Sequence, residues 1–230
     1  MIKVLYEDNH IIAVYKPSGV LTQGDRSGDR SLMDDVKDYL KEKYNKPGNV
    51  FLGLVHRLDK PVSGIVLFGK TSKGASRLSE QFRNHTIQKT YHAIVVGKPK
   101  ETSGTIKEKV NKISFFAEGF TNKTDEELLA EIKKATKTRT AELEYKVVKS
   151  NDKYSLLKVL PKTGRFHQIR IQMQQMGCPI LGDVKYSNQQ RALPDGSIAL
   201  SATAIKFKSA TDNKEINLEI PMPESWQRYL

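Results

Sequence analysis

The stretch His56-Arg57-Leu58-Asp59-Lys60-Pro61-Val62-Ser63-Gly64 places a carboxylate two residues after an arginine, in a turn that Pro61 and Gly64 would force. Ile65-Val66-Leu67-Phe68 follows at once, an apolar, β-rich run that carries the chain inward. A charged loop anchored to a buried strand is how a rigid scaffold presents a reactive group, and Asp59 is the group presented here. Two further polar clusters interrupt apolar stretches. Lys89-Thr90-Tyr91 begins a strand, and Thr163-Gly164-Arg165-Phe166-His167-Gln168-Ile169-Arg170 begins a helix. On that helix Ile169, Met173 and Met176 form an apolar stripe, while His167, Arg170 and Gln174 form a polar one. A helix N-terminus preceded by Thr-Gly and carrying Arg165 is a natural seat for phosphate.

Each cluster also has a plainer reading. Asp59 close to Pro61 suits a residue that caps its own turn. Tyr91 at a strand start suits a core aromatic, Arg170 a weak surface pair, and His167 a structural histidine. The five histidines lack H-x-x-x-H or H-E-x-x-H spacing, so no metal is expected. Gly64-Ile-Val-Leu-Phe-Gly69-Lys70-Thr71 matches the phosphate-loop pattern G-x-x-x-x-G-K-[ST] letter for letter. Its four intervening residues extend as a strand, however, whereas a phosphate loop must curl its backbone N–H groups toward the ligand. Nucleotide hydrolysis is therefore not the expected chemistry.

The elements that must hold these clusters follow from periodicity. Ile11 to Tyr15 reads as a buried strand stopped by Lys16-Pro17-Ser18-Gly19, and 24–30 as an exposed loop. Ser31 caps a helix, with Asp34 three residues on and Pro47-Gly48 as its end. Strands are expected over 62–68 and 88–97, with an amphipathic helix from Thr71 to Asn84 between them. Stretches 138–149 and 154–160 alternate like an antiparallel pair, 163–176 reads as a helix, and 198–208 and 215–220 as strands. The segment 98–139 is expected to be a basic surface excursion, with a short strand near Ser114-Phe115-Phe116 and a capped helix over 124–129. Strands and helices mix without regular βαβ alternation, which predicts an α+β fold with a mixed, mostly antiparallel central sheet.

The chain of 230 residues suits one domain spanning 1–230, with a real core. Its formal charge of +12 favours polyphosphate partners, although a solvated basic surface would look the same. No run of 18 apolar residues occurs, the first residues lack a signal-peptide core, and Cys178 stands alone. These features set the expectation of a soluble protein in the reducing cytoplasm.

The motifs together resemble the RluA-type RNA pseudouridine synthases. His56-Arg57-Leu58-Asp59 with Ser63-Gly64 is similar to the family's H-R-L-D-x-x-T-S-G, and Lys89-Thr90-Tyr91-His92-Ala93 with Gly97 to its K-x-Y-x-A-x-x-x-G. Thr163-Gly164-Arg165 to Arg170, with Gly177-Cys178-Pro179-Ile180 and Gly182-Asp183, resembles its T-G-R-x-H-Q-I-R … G-x-P-I-x-G-D. Ile12 to Gly19 resembles the opening V-x-x-K-P-x-G. Val62 replaces the usual Thr, and Ser201 replaces the His of L-H-A.

The resemblance implies the pseudouridine synthase fold, with helices flanking the sheet and an active cleft across its middle. It implies isomerisation of uridine in rRNA or tRNA without cofactor or metal. Asp59 would be the essential aspartate, Arg170 its partner, and Tyr91 the residue that stacks on uracil and takes the C5 proton. Arg57, His56, Arg165, His167 and Gln168 would contact RNA after the target base is flipped out. The family's accessory S4 domain is not expected, and a monomer is. The alternative is a catalytically silent RNA-binding protein on the same fold.

Overall fold

The structure is a computed structural model and describes residues 2–110, 139–187 and 192–230. Two unbroken apolar runs set its centre. Strand β2 (Ile11–Lys16) pairs with β1 (Lys3–Glu7) on one side and with β4 (Ser63–Gly69) on the other. Residues of both central strands alternate between two cores. Ile12, Val14, Val66 and Phe68 face one side, while Ile11, Ala13, Ile65 and Leu67 face the other. A strand covered on both faces needs apolar residues at every position, which is why these runs do not alternate.

Helix α1 (Leu32–Lys43) covers the first face with Leu32, Val36 and Leu40, each burial contributing roughly 1.5–3 kcal/mol. Its start is the expected capping box: the Ser31 side chain accepts from the Asp34 backbone, and the Asp34 carboxylate accepts from the Ser31 N–H at 3.0 Å. Helix α2 (Ser72–Arg83) covers the second face through Leu78, and the Thr71 hydroxyl caps it by accepting from the Gly74 N–H at 3.1 Å. Lys70 Nζ lies 2.6 Å from the Glu7 carboxylate and donates to the Asp8 carbonyl. The residues that imitate a phosphate loop are thus a strand, a buried ion pair and a helix cap.

The remaining strands are β3 (Gly53–Leu54), β5 (Gln88–Val96), β6 (Ser103–Val110), β7 (Arg139–Ser150), β8 (Tyr154–Pro161), β9 (Leu200–Lys208) and β10 (Glu215–Glu219). They complete one sheet in the order β1-β2-β4-β9-β5-β8-β7-β6, with β10 beside β9 and β3 beside β4. Among the described strands every pairing is antiparallel except β4 with β9. That parallel contact is two residue pairs long, Ser63 with Ser201 and Gly64 with Ala202. The sheet therefore has a narrow seam at its middle.

Gly64 sits inside β4 at this seam rather than in the turn before it. Its φ is +133°, and a Cβ there would lie 2.4 Å from the Ala202 carbonyl oxygen. Glycine is required because two backbones meet. Ser103–Val110 is a second departure from expectation, since it forms β6 against β7 where a surface excursion was read. The strand near Ser114 and the helix over 124–129 fall outside the described residues. The third departure concerns α3 (Gln168–Gln175), which starts five residues later than its sequence suggests.

Candidate active site

Asp59 lies just before β4, and its loop is held at nearly every backbone group. The Thr22 hydroxyl both donates to the Leu58 carbonyl at 2.8 Å and accepts from the Leu58 N–H at 3.2 Å. The Asp59 carbonyl accepts from the Val62 N–H at 3.0 Å, closing a turn over Lys60-Pro61. The Lys60 carbonyl accepts from the Gly19 N–H at 2.8 Å and from Lys16 Nζ at 3.1 Å. Lys16 is fully buried and also donates to the carbonyls of Pro17 and Val20, at 3.0 and 2.7 Å. Burial pushes its pKa down to about 8, with the nearby Asp59 charge working the other way.

The Asp59 side chain meets α3. Arg170 Nη1 donates to Asp59 Oδ2 at 3.1 Å, while its Nε and Nη2 donate in parallel to Asp183 at 2.7 and 2.8 Å. Asp183 is 1% exposed, so this forked pair is locked in the interior. The Tyr186 ring lies 4.9 Å from the guanidinium carbon and completes its cage. Burial pushes the Asp59 carboxyl above its usual range, and Arg170 pulls it back only in part.

His167 holds the corner before α3 with φ +50°, a left-handed conformation that costs about 1–3 kcal/mol for a side-chain-bearing residue. Its ring stacks on Phe166 at 3.8 Å, and its Nδ1 lies 2.6 Å from the Tyr186 hydroxyl. Burial, with Arg170 and Lys185 adding to it, lowers its pKa to about 3. The imidazole is therefore neutral, and its 3.4 Å approach to Asp59 is no ion pair. Because the helix starts only at Gln168, Arg165 does not sit on a helix N-terminus, and the expected phosphate seat there does not form.

Gln168 is used by the protein itself. Its Oε1 accepts from the Thr163 hydroxyl at 2.7 Å and the Arg165 N–H at 3.0 Å, and its Nε2 donates to the Glu142 carbonyl. His56 is likewise engaged: its Nε2 accepts from the Leu67 N–H at 2.9 Å, filling the β4 edge between the stretches paired with β9 and β3. Burial lowers its pKa to about 3, so it too is neutral.

Tyr91 enters from β5, at an irregularity in its pairing with β9 that falls between Thr90 and Tyr91. Such bulges re-aim side chains next to active sites. Burial, reinforced by Asp59, pushes the Tyr91 phenol well up, so it stays protonated at neutral pH. Asp59, Val62, Lys89, Tyr91, Ile169 and Leu200 line a pocket of about 90 Å³, room for a few waters or one planar ring. It opens into a cleft of about 1100 Å³ where lysines and arginines outnumber carboxylates seven to two. Arg57, exposed at the mouth, has no hydrogen bond or ion pair among the described residues.

The structure thus brings Asp59, Tyr91 and Arg170 to one pocket and Arg57 and Arg165 to its rim. It also adds Lys16, Lys89, Asp183 and Tyr186, which motif spacing did not single out. The first three belong to the quoted motifs, but only burial reveals what they touch.

A partly buried carboxylate faces a base-sized pocket in a cationic cleft across a mixed sheet, an arrangement suited to chemistry on a nucleic-acid base. Residues 10–175 match the family model for RNA pseudouridylate synthases. The chain is 34% identical over 226 residues to a Rickettsia bellii protein named ribosomal large subunit pseudouridine synthase C, covering 98% of this chain and 70% of that one. It is 29% identical to the Vibrio cholerae tRNA pseudouridine synthase C, covering 100% and 95%. Among solved structures, human RNA pseudouridylate synthase domain containing 4 superposes with a TM-score of 0.77 at 23% identity, covering 98% and 90%, a likeness of fold. The chain belongs to the RluA-type RNA pseudouridylate synthase family. It is an isomerase that converts uridine to pseudouridine in RNA.

Proposed function

We propose that Asp59 is the essential carboxylate of this isomerase and that its substrate is a uridine flipped out of structured ribosomal or transfer RNA. The observation that carries the reading is the Asp59 carboxylate itself, clamped by Arg170 inside a pocket of single-base size. In the reaction the N1–C1′ bond breaks, the uracil turns, and C5 bonds to C1′. The proton lost from C5 is balanced by the one N1 gains. Asp59 stabilises or traps the positive character at C1′, as carboxylates do in glycoside chemistry. Arg170 keeps it ionised in a place where burial favours the neutral acid.

Tyr91 stacks on the uracil. Its protonated phenol suits that role better than the role of a standing base for the C5 proton. Arg57 fills the space the base leaves or grips a flanking phosphate, and Arg165 contacts the RNA backbone. His56, His167 and Gln168 read as supports of the site, because their polar atoms already serve the protein. The names of the relatives, for large-subunit rRNA and for tRNA, support both RNA classes as substrates.

The test maps pseudouridine across total RNA from cells with and without the gene, adding back wild type or Asp59→Asn. Sites that vanish and return only with wild type are the expected result. If Asp59→Asn restores them, or if no site changes, the assignment of Asp59 fails, and in the second case a silent RNA binder replaces it.

A further inference from the structure

Lys89 is half-buried and differs from the two buried cations of the site. Lys16 places its ammonium on three carbonyls, and Arg170 lies between two carboxylates. Lys89 has neither a hydrogen bond nor an ion pair among the described residues, yet burial alone is enough to lower its pKa, with no carboxylate pulling the other way. The Lys89 charge in turn helps to keep the neighbouring His56 neutral. A half-buried ammonium with no anion against it is placed to take one from a ligand.

Its position says which charge. Lys89 lines both the narrow pocket and the broad cleft, so it stands at the threshold between them. Its Nζ would be 3.6 Å from a Cβ at Gly164, so it rests against the bare backbone of the Thr163–Arg165 loop. A uridine entering the pocket is itself neutral. The anion it carries across the threshold is its own phosphodiester.

We propose that Lys89 Nζ binds a non-bridging phosphate oxygen of the target nucleotide, holding the sugar while the base occupies the pocket. The proposal rests on the reading of this pocket as the uridine site. An ammonium–phosphate contact at this half-buried threshold is worth roughly tenfold in affinity.

The experiment titrates the protein by NMR with uridine, uridine 5′-monophosphate and uridine 3′-monophosphate. Wild type is expected to bind one monophosphate about tenfold more tightly than uridine. Lys89→Met should bind uridine as before and lose that preference, while melting no lower than wild type. Lys41→Met, on the exposed face of α1, should keep the preference and so exclude a general effect of net charge. A preference that survives Lys89→Met overturns the proposal. Equal weakening of all three ligands also overturns it, and places the ammonium on the uracil instead. If wild type binds none of the three, the pocket is not a uridine site, and both the reading beneath the proposal and the proposal fall.

Discussion

Burial lifts the Asp59 carboxyl toward its neutral form, while the role proposed for it needs the ionised form. Its folded pKa stands above its unfolded one. Such a group contributes stability below the unfolded value and loses it as pH rises through the folded value, so at neutral pH the charge is a cost. Asp59→Asn is therefore expected to abolish turnover yet melt at or above the wild-type temperature in a calorimetric scan at pH 7. If Asp59 acts in its ionised form as proposed, turnover in wild type should fall on acidification at a higher pH than an exposed aspartate would give. Asp183 tunes this limb, because it raises the Asp59 pKa and shares Arg170. Asp183→Asn should lower kcat by roughly tenfold or more, through loss of a charged hydrogen bond. It should also move the acid limb of the rate profile to lower pH, a shift that simple loosening of the fold would not produce.

At the scale of elements, the seam between β4 and β9 carries the heaviest constraint. Gly64→Ala would drive a methyl group into the Ala202 backbone at a φ that side chains avoid, so a loss of about 3 kcal/mol or more is expected in urea unfolding. A loss below about 1 kcal/mol would mean that the seam can open. This glycine also shows where sequence reading stops. Next to Pro61 it reads as a turn residue, and only the arrival of β9 from 138 residues away shows why it is there. The unbroken runs of β2 and β4 were legible because double burial leaves a local pattern, as was the cap at Ser31. The start of α3 was not, since Thr-Gly-Arg imitates a helix opening and the left-handed turn at His167 leaves no compositional mark. Strand β6 was hidden by Lys107, Glu108 and Lys109, polar residues that suit a sheet edge as well as a loop. Asp59 and Arg170 could be named in advance, but Lys16, Lys89 and Asp183 acquire meaning only from what surrounds them.

For the molecule as a whole, the formal charge of +12 matters less than its concentration along the cleft. Binding of RNA should weaken steeply with salt. The double change Arg83→Ala with Lys185→Ala should flatten the slope of log K against log salt by roughly one to two. The same double change should leave the set of modified sites intact, because neither residue lines the inner pocket. An unchanged slope in a filter-binding titration would place the RNA on another face. Among the described residues no helix is long and apolar enough to cross a membrane.

The seam also bears on when the protein becomes active during its own synthesis. Asp59 leaves the ribosome first, Arg170 follows 111 residues later, and β9, which runs between β4 and β5, later still. Until that strand is made, Gly64 has no Ala202 to meet, and the half of the sheet that carries Asp59 has no docking edge for the half that carries Tyr91. A growing chain therefore holds the Asp59 carboxylate before it has the arginine and the strand that position it. Chains broken off before β9 are expected to leave RNA unmodified, a consequence of strand order alone.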